Sequence, residues 1–178
     1  MASETLGELK QWALELAQGG AKGKDVHLNP AAQLIAKTFD VQTHEVAILG
    51  VTADGRFLRF LSPDNLSAVG QIPLSSVQSL ASRTVRDKRP EMINNFSVVP
   101  HANVFEAVPQ ADRQRTDPVQ KIMSAPITHD HKVIGVVQVC RKGKSMAEAG
   151  ADFTLGQLHQ LRTISETLAP CVLLRNEE

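Results

Sequence analysis

The chain contains no tyrosine, one tryptophan and six phenylalanines in 178 residues. So little ring surface excludes the aromatic platforms on which single-stranded nucleic acids stack. Charge of one sign is also missing: 19 Lys and Arg balance 19 Asp and Glu. Without a cationic surplus there is little to displace the counterions of a nucleic acid, and no polybasic membrane anchor. No apolar run approaches the ~18 residues needed to span a bilayer. The opening Met1–Glu8 is polar and acidic, unlike the basic and then apolar start of a secretory signal. Cys140 and Cys171 lie in apolar segments with no CxxC or metal-type spacing. They read as buried thiols in a reducing, cytoplasmic setting, with neither nucleic acid nor membrane as partner.

Helices and hairpins can be read from the spacing of apolar residues. Leu6, Leu9, Ala13 and Leu16 recur every three or four positions and form one narrow helical face. Gly19, Gly20 and Gly23 end that helix. Residues 1–24 therefore read as an amphipathic helix with a glycine-rich link, and residues 25–178 as the domain. The narrow seam must be covered by the domain's own last helix or by a second chain. Asn29-Pro30 supplies an N-cap and first turn for a helix burying Ala31, Leu34, Ile35 and Phe39. Val46–Val51 and Phe57–Leu61 flank Asp54-Gly55 as a hairpin. A second helix is expected over Ser75–Lys88, capped by Ser75 or Ser76, with Val77, Leu80, Ala81, Thr84 and Val85 inward. Arg83, Arg86, Lys88 and Arg89 gather at its C-terminal end, a cluster that suits the helix dipole and is a weak candidate for anion binding. Met92-Ile93 reads as a short strand.

Residues 97–120 contain three prolines and little periodicity, as functional loops often do. Lys121–Ile127 and Lys132–Val139 form a second hairpin around Thr128–His131, and Gly135 within it predicts a bulge or a close backbone approach. A polar loop then leads to Thr154–Gln157, a capping box. Leu158, Leu161, Ser165, Leu168 and Val172 continue the face of that last helix, and Pro170 should kink or stop it near Ala169. This order does not alternate strand with helix, so it excludes a doubly wound sheet. Two hairpins around a helical excursion imply an α+β fold on an antiparallel sheet.

Five phrases together resemble the GAF domain family. They are Gly70-Gln-Ile-Pro-Leu before a helix, Lys88–Asn95 where helix gives way to strand, Met123-Ser-Ala-Pro-Ile127, Val133–Val139, and Asp152–Leu158 opening the last helix. The resemblance spans roughly residues 28–170. It implies a central antiparallel sheet of five or six strands, terminal helices on one face, and a loop- and helix-covered pocket on the other. It also implies a sensory role in signal transduction: a bound small molecule, a homodimer made through the terminal helices, and a signalling protein as possible partner. The resemblance thus places Leu6, Leu9, Ala13, Leu16, Leu158, Leu161 and Leu168 at a dimer interface.

The pocket suggested by topology and resemblance draws on Phe60, Asn95, Phe96, His101, Val104, Phe105 and Ser124, with no cofactor indicated. The same residues would fill the core of a ligand-free dimerisation or docking module, which is the alternative. The Asn-Lys-Phe-Asp-Glu signature of cyclic-nucleotide-binding members is absent, and no cysteine lies where bilins attach. The two cysteines also miss the positions used by the free methionine sulfoxide reductases that share this resemblance. No catalytic residues are expected. His129 and His131 flank Asp130 at a hairpin tip without a third ligand, so no metal site is expected.

Overall fold

The structure is a computed structural model that describes residues 2–64, 66, 70–98 and 117–177. Six strands form one sheet: β1 (Val46–Val51), β2 (Phe57–Ser62), β3 (Ile72–Pro73), β4 (Glu91–Ile93), β5 (Val119–His129) and β6 (Lys132–Lys142). Their order across the sheet is β3-β2-β1-β6-β5-β4, with every pairing antiparallel. The longest strands, β5 and β6, are joined by the two residues Asp130 and His131, both at positive φ (49° and 64°). That backbone matches strand twist and makes the turn tighter than the four residues expected from sequence. It also carries β5 on to His129, beyond its expected end at Ile127, while β6 starts at Lys132 as expected.

Among the described residues the α-helices are α1 (Ala2–Gln18), α2 (Asn29–Phe39), α3 (Leu80–Asp87), α4 (Met146–Ala149) and α5 (Leu155–Asn176). Helices α1, α2 and α5 cover one face of the sheet. Leu9, Ile35, Phe39, Leu161 and Leu168 there share a buried core with Val46, Ile48, Met123, Ala125 and Ile127. Burying each of the larger side chains contributes about 1.5–3 kcal/mol. The helix-face seam is thus covered by the chain itself. Leu9 (1%), Ala13 (8%), Leu161 (0%) and Leu168 (0%) are closed from solvent within one chain, while Leu6, Leu16 and Leu158 are half-buried.

Several local expectations need correction. Helix α3 starts at Leu80, where the Ser79 hydroxyl accepts the Ser82 N–H, and Ser75 and Ser76 lie in the preceding turn. Val77, expected on the buried face, is 85% exposed. Asn29 is the first residue of α2, not its cap. Its side chain instead donates to Asp64 (3.1 Å) and accepts from the Ser62 hydroxyl (2.9 Å). Helix α5 runs through Pro170 to Asn176. Proline removes one hydrogen bond, but Pro170 faces solvent while Cys171 and Val172 are fully buried, so packing carries the helix past it. The capping box at Thr154 and Gln157 forms as expected.

The expected close approach at Gly135 is present: a Cβ there would collide with the Leu49 carbonyl of β1. Within α1, by contrast, Gly7 is exposed and has nothing near its Cα side. Gly7→Ala should therefore stabilise the protein by about 1 kcal/mol through helix propensity alone. A thermal melt should rise by about 2–4 °C for a chain of this size. An unchanged or lower midpoint would mean that the first turns of α1 are not helical in solution.

The segment before α5 is tied down by polar side chains of β5 and of the turn after β4. The Lys121 ammonium, with its side chain 6% exposed, donates to the Gly150 carbonyl (2.6 Å) and to Asp152 (2.7 Å). Asn94 exchanges two hydrogen bonds with the Phe153 backbone, at 2.9 and 3.1 Å. These contacts hold the segment before α5 against the ends of β4 and β5.

Candidate functional site

On the opposite face of the sheet, among the described residues, lies the short helix α3. Helix α3 straddles two apolar clusters there. Ala81 belongs to one, with Ala47, Leu49, Leu58, Phe60, Leu66, Ile72 and Val136; Leu80 belongs to the other, with Phe96, Val119, Ile122 and Cys140. Beneath α3 runs a row of residues in register: Ala47 of β1 opposite Gln138 of β6, Gln138 opposite Ser124 of β5, and Ser124 opposite Glu91 of β4. Residues in register share a face, so three polar side chains interrupt an otherwise apolar surface.

These side chains stitch α3 to the sheet. Thr84 and Ser124 hydroxyls lie 2.7 Å apart, and the Gln138 carboxamide N–H donates to Ser124 at 3.2 Å. All three are buried: Ser124 at 0% exposure, Thr84 at 1% and Gln138 at 5%. At the outer end, Arg83 grips Glu91 with two hydrogen bonds, 2.8 and 3.0 Å. Arg86 donates to the carbonyls of Leu74 and Ser76. Two of the four basic residues singled out in the sequence are thus committed to holding α3 in place.

Of the expected site residues, Phe60, Phe96 and Ser124 lie buried on this face, in the two clusters and the polar row respectively. Asn95 is exposed, and its neighbour Asn94 is the one with a structural task. His101, Val104 and Phe105 lie outside the described residues. Thr84 points inward as its spacing predicts, but its pairing with Ser124, the Gln138 carboxamide and the Arg83–Glu91 pair carry no such signal. The available signal was a glutamine inside Val136-Val-Gln-Val-Cys140 and a serine inside Met123-Ser-Ala125, single polar residues in apolar strand runs. Their meeting depends on register, which neither run encodes alone.

The helix face offers a different kind of cleft, of about 610 Å³, lined by Lys22, Gly23, Lys24, Arg59, Arg175 and Glu177. Lys22 and Glu177 pair across it at 3.1 Å. Among the described residues no group of His, Cys, Asp or Glu could hold a metal ion, and no helix is long and apolar enough to cross a membrane.

The cysteines are separated by the sheet. Cys140 packs beneath α3 and Cys171 packs among the terminal helices. Both are fully buried, and burial pushes the Cys171 thiol up to about 11. Thiolate is the reactive form, so such a group is inert near neutrality. Neither thiol should react with iodoacetamide in the folded protein at pH 7.5, and both should react in denaturant; mass spectrometry counts the adducts. Rapid labelling of a folded thiol would reopen a redox role.

Among the described residues, an antiparallel sheet with terminal helices filling one face and helix α3 latched over a polar row on the other defines an α+β architecture. The GAF domain family model matches residues 26–172, and the chain belongs to that family. Solved structures agree on the fold. The GAF domain of an Acinetobacter phosphoenolpyruvate-protein phosphotransferase aligns at TM-score 0.64 and 14% identity, covering 96% of this chain and 91% of that one. Free methionine-R-sulfoxide reductase from Neisseria meningitidis, in complex with its substrate, aligns at TM-score 0.66 and 11% identity, covering 99% and 91%. The GAF domain of the Coxiella burnetii phosphotransferase aligns at 0.61 and 9%, covering 96% and 94%. At these identities the likeness shows the fold alone. A search of curated proteins gives no match.

Proposed function

We propose that this protein is a non-catalytic sensory module of signal transduction that binds a small molecule between α3 and the sheet. The carrying observation is the polar row. Glu91, Ser124 and Gln138 lie in a surface otherwise built from apolar side chains, the composition by which small-molecule sites orient their ligands. The inert cysteines favour binding over a sulfoxide reductase chemistry. Strand β5 is the natural transmitter. Ser124 faces α3, while Met123, Ala125 and Ile127 on its other face pack against the core shared with α5. A ligand that moves α3 against Ser124 thus acts one strand's thickness from the terminal helices. It shifts their arrangement only by its difference in affinity for the two states.

The second element of the reading is a homodimer through α1 and α5. Leu6, Leu16 and Leu158, half-buried, are the part of the seam still open, together with Leu14, which is 58% exposed. Native mass spectrometry of freshly purified protein, beside a denatured sample, tests both elements. The expected result is two chains with a noncovalent small molecule that is lost on denaturation. A bare chain whose amide exchange in α3 and β5 is unchanged by a metabolite extract overturns the ligand reading and leaves a protein-docking module. A monomer overturns the dimer.

A further inference from the structure

The chain carries no net charge, yet cations gather at the end of α5. The cleft of about 610 Å³ there is lined by Lys22 and Lys24 of the glycine-rich link, Arg59 of β2 and Arg175 of α5. Glu177 is the one acidic residue in that lining, and it pairs with Lys22 at 3.1 Å. Lys24 and Arg175 enter no ion pair among the described residues. The fold itself enforces this grouping. Gly23, at φ 57°, lies so close to the Glu177 carbonyl that a Cβ would collide with it, so the link is pressed onto the end of α5. Like charges held around a concavity focus an attractive field for anions. A second cleft, of about 470 Å³, also contains Arg59, with Lys132, Thr52, Gln71 and Asn176, and no acidic residue lines it. The Asn176 Oδ1 atom is buried and lacks a hydrogen-bond partner among the described residues, an acceptor that a donor from outside the chain would satisfy.

We propose that these two clefts form one site for a small phosphorylated polyol of the sugar-bisphosphate kind. One phosphate sits among Lys24, Arg59 and Arg175, where arginine forks match its oxygens in pairs and lysine adds a point charge. The second lies toward Lys132, and a hydroxyl between the two donates to Asn176 Oδ1. Two phosphate monoesters bring about three to four negative charges near pH 7, which answers the cationic excess of the linings. Other anions fit less well. Neither lining contains an aromatic ring on which a nucleobase would stack. The cations surround a cavity in a chain of zero net charge, whereas a nucleic-acid backbone or an anionic membrane calls for a basic stripe or surface. Bound there, the ligand ties the link, β2 and the end of α5 together on the sheet face opposite α3. The site is separate from the one proposed beneath α3, and either reading stands or falls without the other.

Titration of the ¹⁵N-labelled full chain with fructose 1,6-bisphosphate tests this at fixed ionic strength. Pyrophosphate supplies phosphates without hydroxyls, and fructose supplies hydroxyls without phosphates. Fructose 1,6-bisphosphate should shift the backbone amides of residues 22–24 and 175–177 and leave those of α3 in place. Pyrophosphate should bind at least tenfold more weakly, and fructose should not bind. Arg175→Gln should weaken bisphosphate binding at least tenfold with the thermal midpoint unchanged, and Arg175→Lys should restore part of it. Asn176→Ala should bring the bisphosphate down to the affinity of pyrophosphate. If Arg175→Gln lowers the midpoint, Lys24→Gln takes its place, since that side chain is exposed. Absence of shifts at residues 22–24 and 175–177, equal binding of pyrophosphate, or binding indifferent to both Arg175→Gln and Lys24→Gln overturns the inference. None of these outcomes touches the reading beneath α3, which fails on the bare mass spectrum and unchanged exchange described above.

Discussion

Gly135→Ala should cost about 3 kcal/mol, and Gly135→Val should leave little folded protein. Gly135 of β6 pairs with Gly50 of β1 at the centre of the sheet, beneath the last turns of α5. A Cβ on Gly135 would drive into the Leu49 carbonyl, with Val172 and Ile127 already at 3.4 and 3.5 Å. Backbone cannot swing away as a side chain can, so the strands must part or shift. Overpacking a close-packed interior typically costs about 1–3 kcal/mol, occasionally more. Relief of glycine's backbone entropy returns only about 0.5–1 kcal/mol. Gly50→Ala is the internal control. Its new Cβ would meet the side-chain atoms of Asn176 and Leu61, each at 2.9 Å, which can yield. Urea melts should rank wild type above Gly50→Ala and Gly50→Ala above Gly135→Ala. A Gly135→Ala protein as stable as wild type would mean that β1 and β6 are not in this register.

Glu45→Ala should cost about 3 kcal/mol for a different reason. The Glu45 carboxylate is 8% exposed and accepts two backbone N–H groups, from Gln42 at 2.9 Å and from Lys142 at 2.7 Å. It closes the short turn that delivers β1 and ties it to the end of β6. Hydrogen bonds to charged groups contribute about 1.5–3 kcal/mol each, the lower figure applying to partly wet pairs. Gln in its place keeps one acceptor but turns an amide N–H toward a backbone N–H, so Glu45→Gln should lose about half as much. Denaturant midpoints at constant slope measure both. A loss below about 1 kcal/mol for alanine would show that water replaces the carboxylate at little cost.

Both positions illustrate how the fold was legible. A glycine in the run Val133–Val139 signals that something approaches closely, but only the sheet order identifies that neighbour as Leu49 of β1. A glutamate before a strand has no distinctive sequence signal, because its second partner, Lys142, lies 97 residues away. Helix ends are ambiguous in sequence where several residues can cap: Ser75, Ser76 and Ser79 all can, and the fold uses Ser79. Pro170 was expected to end α5, yet the burial of Cys171 and Val172 outweighs the one hydrogen bond that proline removes.

The candidate site divides along the same line. Phe60, Phe96 and Ser124 are legible as residues of the sheet face opposite the terminal helices, because the order of elements and the family resemblance together point to that face. Gln138, the Arg83–Glu91 pair and the partner of the inward-facing Thr84 are not, since each role comes from a partner on another element.

The sequence by itself determined the local and the periodic features of this protein. Apolar spacing chose helix or strand, Asp54-Gly55 made one hairpin, Thr154–Gln157 opened the last helix, and the order of elements excluded a doubly wound sheet. Tertiary structure alone decided that α1 is covered within its own chain, that the two cysteines stand on opposite faces, and that Gln138, Ser124 and Glu91 align beneath α3. The physical reason is one of range. Propensity, capping and alternation act over a few residues, whereas register and burial join residues far apart, and a one-residue slip would turn every polar group of that row to the other face.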